Sequence, residues 1–273
     1  MRVSSVRLED LTSSEARQLV DRGGIIIVPV GALEQHGAHL PLKTDFALAL
    51  EISTRAAEIL ASRDIPIAVA PALWTGYSPH HMAFPGTVTL SATTMLAVLS
   101  DVCASLWQHG FRKILILNGH GGNTNLIGTA AQSLRFEKQV RVAVANYWAF
   151  ALEELRAWRE SELGGINHAG EMEMSLMLHA FPGLCRPDRA RDSRRVSQSR
   201  FFSPDLLSSA PVATPWDFAE LSDDGTIGSP EQASPERGEV LMNAIVARVT
   251  DFLDEMSGWD WSNPRGVADG GST

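Results

Sequence analysis

Through its first half, the chain alternates short, continuously apolar runs with longer stretches in which apolar residues return every three or four positions. The runs Ile25 to Val30, Ile67 to Ala70, Ile114 to Leu117 and Val140 to Asn146 read as strands buried on both faces. The longer stretches predict helices over Leu8 to Arg22, Phe46 to Ser62, Ala92 to His109 and Thr124 to Phe136, and another from Tyr147-Trp148-Ala149-Phe150 to about Ser161. Thr12 or Ser13 is a plausible cap for the first helix and Asp45 for the second. Further helices are expected up to Ala180 and over Pro235 to Met256. The Ser-, Pro-, Arg- and Asp-rich stretch between them reads as loop lying partly over the site, and residues 258–273 as a flexible tail. Alternation of strand and helix predicts an α/β fold: one domain over 1–257, a three-layer sandwich with a mostly parallel central sheet and helices on both faces.

Polar residues of unusual kinds stand where these runs end. The first strand opens into Gly31-Ala32-Leu33-Glu34-Gln35-His36-Gly37-Ala38-His39, with Asp45 a few residues on. In an extended segment Glu34 and His36 point to the same side, and a carboxylate beside an imidazole suits zinc, manganese or iron(II). The third strand opens into Asn118-Gly119-His120-Gly121-Gly122-Asn123. This could cradle a phosphate at a helix start, but it lacks the Lys-Ser/Thr of a P-loop and the spacing of a dinucleotide fingerprint. Trp148 follows the fourth strand, and His168 with Glu171 and Glu173 opens a later helix. Ligands of open α/β sheets bind beyond the carboxyl ends of the strands, so these stretches converge on one rim. The long irregular segment from Ala72 to Thr89 is expected to be functional. Its Trp74, Tyr77 and Phe84 are expected to shape an apolar pocket together with Trp148, with His80 and His81 surface or substrate-facing.

Composition narrows the class. A net charge of −9 and no uninterrupted basic run argue against nucleic acid, and two distant cysteines, Cys103 and Cys185, make no disulfide framework. With no signal-like N-terminus and no run of membrane-spanning length, a soluble cytoplasmic protein is expected.

The pattern Gly-Ala-Leu-Glu-Gln-His-Gly-x-His-x-Pro-x-x-x-Asp at 31–45, Asn-Gly-His at 118–120 and His-Ala-Gly-x-x-Glu-x-Ser at 168–175 resembles the creatininase (creatinine amidohydrolase) family, as do Phe84-Pro85-Gly86-Thr87 and Tyr147-Trp148. The resemblance implies a site for two divalent metal ions (zinc, manganese or iron(II)), hydrolysis of a small cyclic amide, a formamide or a peptide bond by a metal-bridging hydroxide, and a homo-oligomer, a hexamer. By position, Asp45 would bridge the metals, Glu34 and His120 would complete one metal site and His36 would hold the other. His168 would be the acid/base, and Trp148, Tyr77 and His81 would meet substrate. Creatininase proper carries a metal-binding glutamate where this chain has Gly122. The expected replacement is Glu171, with Glu173 orienting a histidine, so that Glu171→Gln should cost more metal than Glu173→Gln; the reverse assignment is the alternative. The glycine places the chain nearer the formamide hydrolase and peptide-maturing branches. The competing functions are a peptidase trimming a precursor peptide in cofactor maturation and a non-catalytic metal- or ligand-binding protein.

Overall fold

The computed structural model describes residues 4–195, 201–202, 205–207 and 211–261. Its sheet has the strands β1 (Ile25–Val30), β2 (Ile67–Val69), β3 (Lys113–Asn118) and β4 (Ala143–Asn146), all parallel, in the order β2-β1-β3-β4. Period-two alternation divides β1 and β3 between two cores. Ile25, Ile27, Leu115 and Leu117 face one, with residues of α2 (Thr44–Ser62), α6 (Glu171–Ala180) and α8 (Pro235–Ser257). Ile26, Val28, Ile114 and Ile116 face the other, with α1 (Ser13–Asp21), α3 (Ala92–Gln108) and α4 (Thr124–Glu137). The expected three-layer α/β sandwich is therefore present. Pro29 is tolerated in a central strand because β2 has already ended opposite it; its carbonyl accepts from the amide of Leu73 instead.

Several boundaries differ from the sequence reading. The first expected helix is two pieces, a single turn at Leu8–Asp10 and then α1, which Thr12 opens by exchanging hydrogen bonds with Glu15 in a capping box. The segment after β4 is a turn over Tyr147–Ala151 followed by the short α5 (Leu152–Trp158), and the loop before α8 contains the short helix α7 (Phe218–Leu221) among several single turns. Most of the expected tail, 262–273, lies outside the described residues. Its first residues are packed: Trp259 meets Phe252 edge-on and stacks with Trp261, over which Arg141 lies. Cys103 and Cys185 are free and buried, and among the described residues no helix is long and apolar enough to cross a membrane.

Candidate metal centre

The carboxyl ends of β1, β3 and β4 and the start of α6 meet at one cavity of about 250 Å³. Two asparagines tie its loops together. Asn118 donates to the His120 carbonyl (2.6 Å) and to Asn146 Oδ1 (2.8 Å). Asn123 donates to the Gly31 carbonyl (3.0 Å) and accepts from the amide of Tyr77 (2.9 Å). The glycine-rich turn is thus a knot of loops rather than a phosphate cradle. Gly119 is required there, because a Cβ would lie 2.5 Å from the Asp45 carbonyl oxygen.

Asp45 is the hub. It does not cap α2, which starts one residue earlier with Lys43 at its N-cap position. Its Oδ1 lies 2.8 Å from His36 Nε2 and its Oδ2 3.0 Å from His120 Nδ1. Glu34 Oε1 lies 3.1 Å from the same His120 Nδ1, and Glu173 Oε2 3.8 Å from His36 Nε2. Among the described residues three groups of potential ligands result: Glu34–Asp45–His120 and His36–Asp45–Glu173, which share Asp45, and Glu34–His36–His168; all are buried, with the donor atoms of each group within 4.8 Å of one another.

Carbonyl oxygens fix which ring nitrogens face the carboxylates. His36 Nδ1 donates to the Glu34 carbonyl (3.1 Å), His120 Nε2 to the Tyr77 carbonyl (3.1 Å), and His168 Nε2 to the Gln35 carbonyl (2.7 Å). His36 Nε2, His120 Nδ1 and His168 Nδ1 are left to face the carboxylates, as metal-binding or proton-transferring imidazoles require. Gln35 Nε2 contacts His81 Nδ1 (2.8 Å) and the Gly225 carbonyl (3.2 Å), so His81 accepts at Nδ1 and presents Nε2–H toward Glu34 Oε1, 3.2 Å away. His81 is therefore fully buried in the cluster, not on a loop surface.

The donor set fits metal. Burying three carboxylates together is costly without compensating positive charge. Glu34 Oε2 is buried without a hydrogen-bond partner, and Glu34 Oε1 and Asp45 Oδ2 have only imidazole nitrogens beside them. In the metal-free protein, protons must compensate. Burial disfavours the His36 imidazolium, but the carboxylates of Asp45, Glu173 and Glu34 outweigh it and raise its pKa to about 10. Burial likewise pushes Glu173 up to about 7. His120 is also raised, by Glu34 and Asp45 against its burial, whereas burial and the His36 charge hold His168 well below the ordinary range.

The sign for stability follows. Unfolded His36 loses its proton near pH 6.5, so its stabilising contribution is complete below that value and is lost as pH rises to about 10. Glu173 weakens the fold as pH rises from its unfolded value to about 7. His168 and His81 act in the opposite sense, only below about pH 6.5. Above neutral pH the raised histidines dominate, so the Tm of metal-free protein should fall between pH 7 and 10. Added divalent metal should raise Tm most at the alkaline end, because it replaces those protons. A calorimetric Tm series with and without chelator checks this, and a metal-free Tm that rises over the window would refute it.

Glu171 corrects the sequence reading. Its carboxylate accepts from the amides of Glu160 (2.9 Å) and Ser161 (3.0 Å) and pairs with Arg237, whose guanidinium lies over the Trp158 ring. It faces away from the cavity, and Glu173, two residues on, is the α6 carboxylate that lines it. Glu173 Oε2 also accepts from the amide of Ala169 (2.6 Å), a non-glycine residue held at φ +53° whose carbonyl accepts from His39 Nε2 (2.8 Å). Glu171→Gln is expected to lower stability by about 3 kcal/mol, because Arg237 loses its buried counter-ion, while bound metal is unchanged. Urea unfolding and elemental analysis on the same samples read both.

Trp148 lines the cavity as expected. Tyr77 does not line it but lines an adjoining cavity, and its carbonyl accepts from His120 Nε2. Neither Trp74, which is exposed, nor Phe84 reaches either cavity. Sequence reasoning missed Phe218, whose ring packs against His81 (centroids 4.1 Å), His80 (5.1 Å) and His168 (5.1 Å), and Leu206 and Asn167 beside it. A lone aromatic in a Pro/Ser/Asp-rich stretch carries no periodicity that could have marked it.

A parallel α/β sheet whose strand ends bring together buried carboxylates and imidazoles able to hold a metal ion marks an α/β protein of hydrolase type. Residues 9–253 match the family model described as creatinine amidohydrolase, and the chain belongs to the creatininase family. It is 31% identical to the creatinine amidohydrolase of Pseudomonas putida, covering 92% of this chain and 97% of that one. It is 32% identical to the mycofactocin precursor peptide peptidase of Mycobacterium tuberculosis, with 87% of each covered. A solved creatininase in a manganese form superposes with a TM-score of 0.79 at 30% identity, covering 94% of this chain and all of that one.

Proposed function

We propose that this chain is a two-metal amidohydrolase that cleaves the C–N bond of a small cyclic amide or formamide. The sharing of Asp45 between two buried ligand groups carries this reading. Divalent ions of zinc, manganese or iron(II) would be held by Glu34, Asp45 and His120 and by His36, Asp45 and Glu173, and would supply a polarised carbonyl and a water acidic enough to attack near neutral pH. His168, with Nε2–H anchored on the Gln35 carbonyl and Nδ1 facing the cavity, passes a proton to the departing nitrogen. His81, whose Nε2 lies 3.2 Å from Glu34 Oε1, would offer a fixed N–H donor at the cavity to an oxyanion developing there. Trp148, Leu206 and Phe218 wall the cavity and limit water.

The likeness to the precursor-peptide peptidase supports a second reading, cleavage of a peptide bond. The test is elemental analysis of anaerobically purified protein followed by turnover of formamides, cyclic amides including creatinine, and short peptides. About two metals per chain with metal-dependent hydrolysis of the small amides is expected. Hydrolysis of peptides alone would establish the second reading, and one metal or none would refute the two-metal mechanism.

A further inference from the structure

The metal-site cavity does not end at Phe218. A second cavity of about 480 Å³ adjoins it, and His80 and Phe218 line both. Its walls are apolar or aromatic: Tyr77 and Pro79 from the segment after β2, Pro215, Trp216 and Leu221 from the segment carrying α7, and the other side of Phe218. The acid among its lining residues, Asp217, is already engaged, because its Oδ1 accepts from the Ala219 amide (2.9 Å) to start α7. Among the described residues, neither cavity is lined by a lysine or an arginine.

Resting on the amidohydrolase reading, we infer that the second cavity is a substrate subsite, and that the substrate is an amide carrying an uncharged aromatic or branched apolar arm. The first cavity, about 250 Å³ and lined largely by carboxylates and imidazoles, takes the reacting head. The second, nearly twice as large, matches an arm of ring size, whose transfer from water onto Trp216, Tyr77 and Leu221 is favourable. Among the described residues no lysine or arginine lines the cavity to compensate an anionic arm, which favours an uncharged one. Phe218 stands at the junction, touching the catalytic histidine on one side and the arm on the other. An occupied subsite would hold α7 closed over the head and so couple recognition of the arm to exclusion of water at His168.

The test separates head from arm. Acetohydroxamate presents a metal-binding head alone, and hydroxamates with a phenyl ring on one to three methylenes add the arm. Calorimetric titration into metal-loaded protein should show the best phenyl homologue binding at least about tenfold tighter than acetohydroxamate. Trp216→Ala and Leu221→Ala should each reduce that ratio severalfold. Matched N-methyl- and N-benzylformamide should show the same preference in kcat/KM. Acetohydroxamate binding with no gain from any phenyl arm would overturn the subsite while leaving the metal centre standing. Failure of acetohydroxamate itself to bind would instead overturn the metal-centre reading, and the subsite with it. A preference for the aromatic arm that survives both substitutions would place the arm elsewhere and refute this assignment.

Discussion

Asp45→Asn is expected to strip metal from both ligand groups and to lower turnover by about three orders of magnitude or more. The substituted amide keeps the shape of the side chain but loses its charge and one of its two acceptor oxygens. The two oxygens face different histidines, Oδ1 toward His36 at 2.8 Å and Oδ2 toward His120 at 3.0 Å, so no single remaining atom can serve both groups. Loss of the Lewis acid and of its acidified water removes several kcal/mol of transition-state stabilisation, at about 1.4 kcal/mol per factor of ten. The fold should persist, because Asp45 does not cap α2. Elemental analysis, turnover and circular dichroism of the variant read these expectations together. A folded Asp45→Asn protein that retains two metals would sink the bridging role.

The second large effect separates the acids of α6. Glu173→Gln should reduce bound metal from about two per chain to about one and turnover by roughly a hundredfold or more, whereas Glu171→Gln should leave metal content alone. The glutamine oxygen can still accept from the Ala169 amide, so the loop carrying His168 keeps its clamp while the His36 group loses an anion. The measurement is metal per chain on the two variants side by side. If Glu171→Gln proves the more damaging to metal binding, the assignment derived from the geometry fails.

The α6 acids also show where the sequence stops being informative. Residues two apart on a helix lie about 200° apart around its axis, so only one of Glu171 and Glu173 can face the cavity. A polar-outside stripe normally sets a helix's rotational phase. Here every residue from Glu171 to Met177 is buried, and the apolar ones surround the helix, leaving no such stripe to read. The phase is set instead by Arg237, which arrives from α8 to engage Glu171. The strand β4 is only half-buried, but β1, β2 and β3 were legible for the opposite reason. Their apolar runs are continuous, and the residues closing Ile25–Val30 and Lys113–Asn118 are chemically conspicuous. Asp45 illustrates a local preference overridden by tertiary demand: a side chain suited to capping is drawn to two histidines. Trp74 and Phe84 are the converse, large aromatics in a functional-looking loop that face away from both cavities.

The crowding around Gly122 determines what a carboxylate at this position would displace. A Cβ at this position would collide with His120 Nε2 and come within 2.6 Å of the Tyr77 carbonyl oxygen and 2.8 Å of His80. Those are the atoms that fix the imidazole of one ligand group and the edge of the subsite. A glutamate restored here would not simply rejoin the cluster but would first dislodge His120. A carboxylate at this position therefore requires His120, His80 and the Tyr77 carbonyl to move. The neighbouring His80 and Tyr77 must give way first, which makes such a substitution contingent on prior changes in the loop that carries them. Homologues with a glutamate at this position are accordingly expected to differ at the residues corresponding to 77–81 as a block, and chimaeras that exchange the two stretches together should retain metal where single replacements lose it.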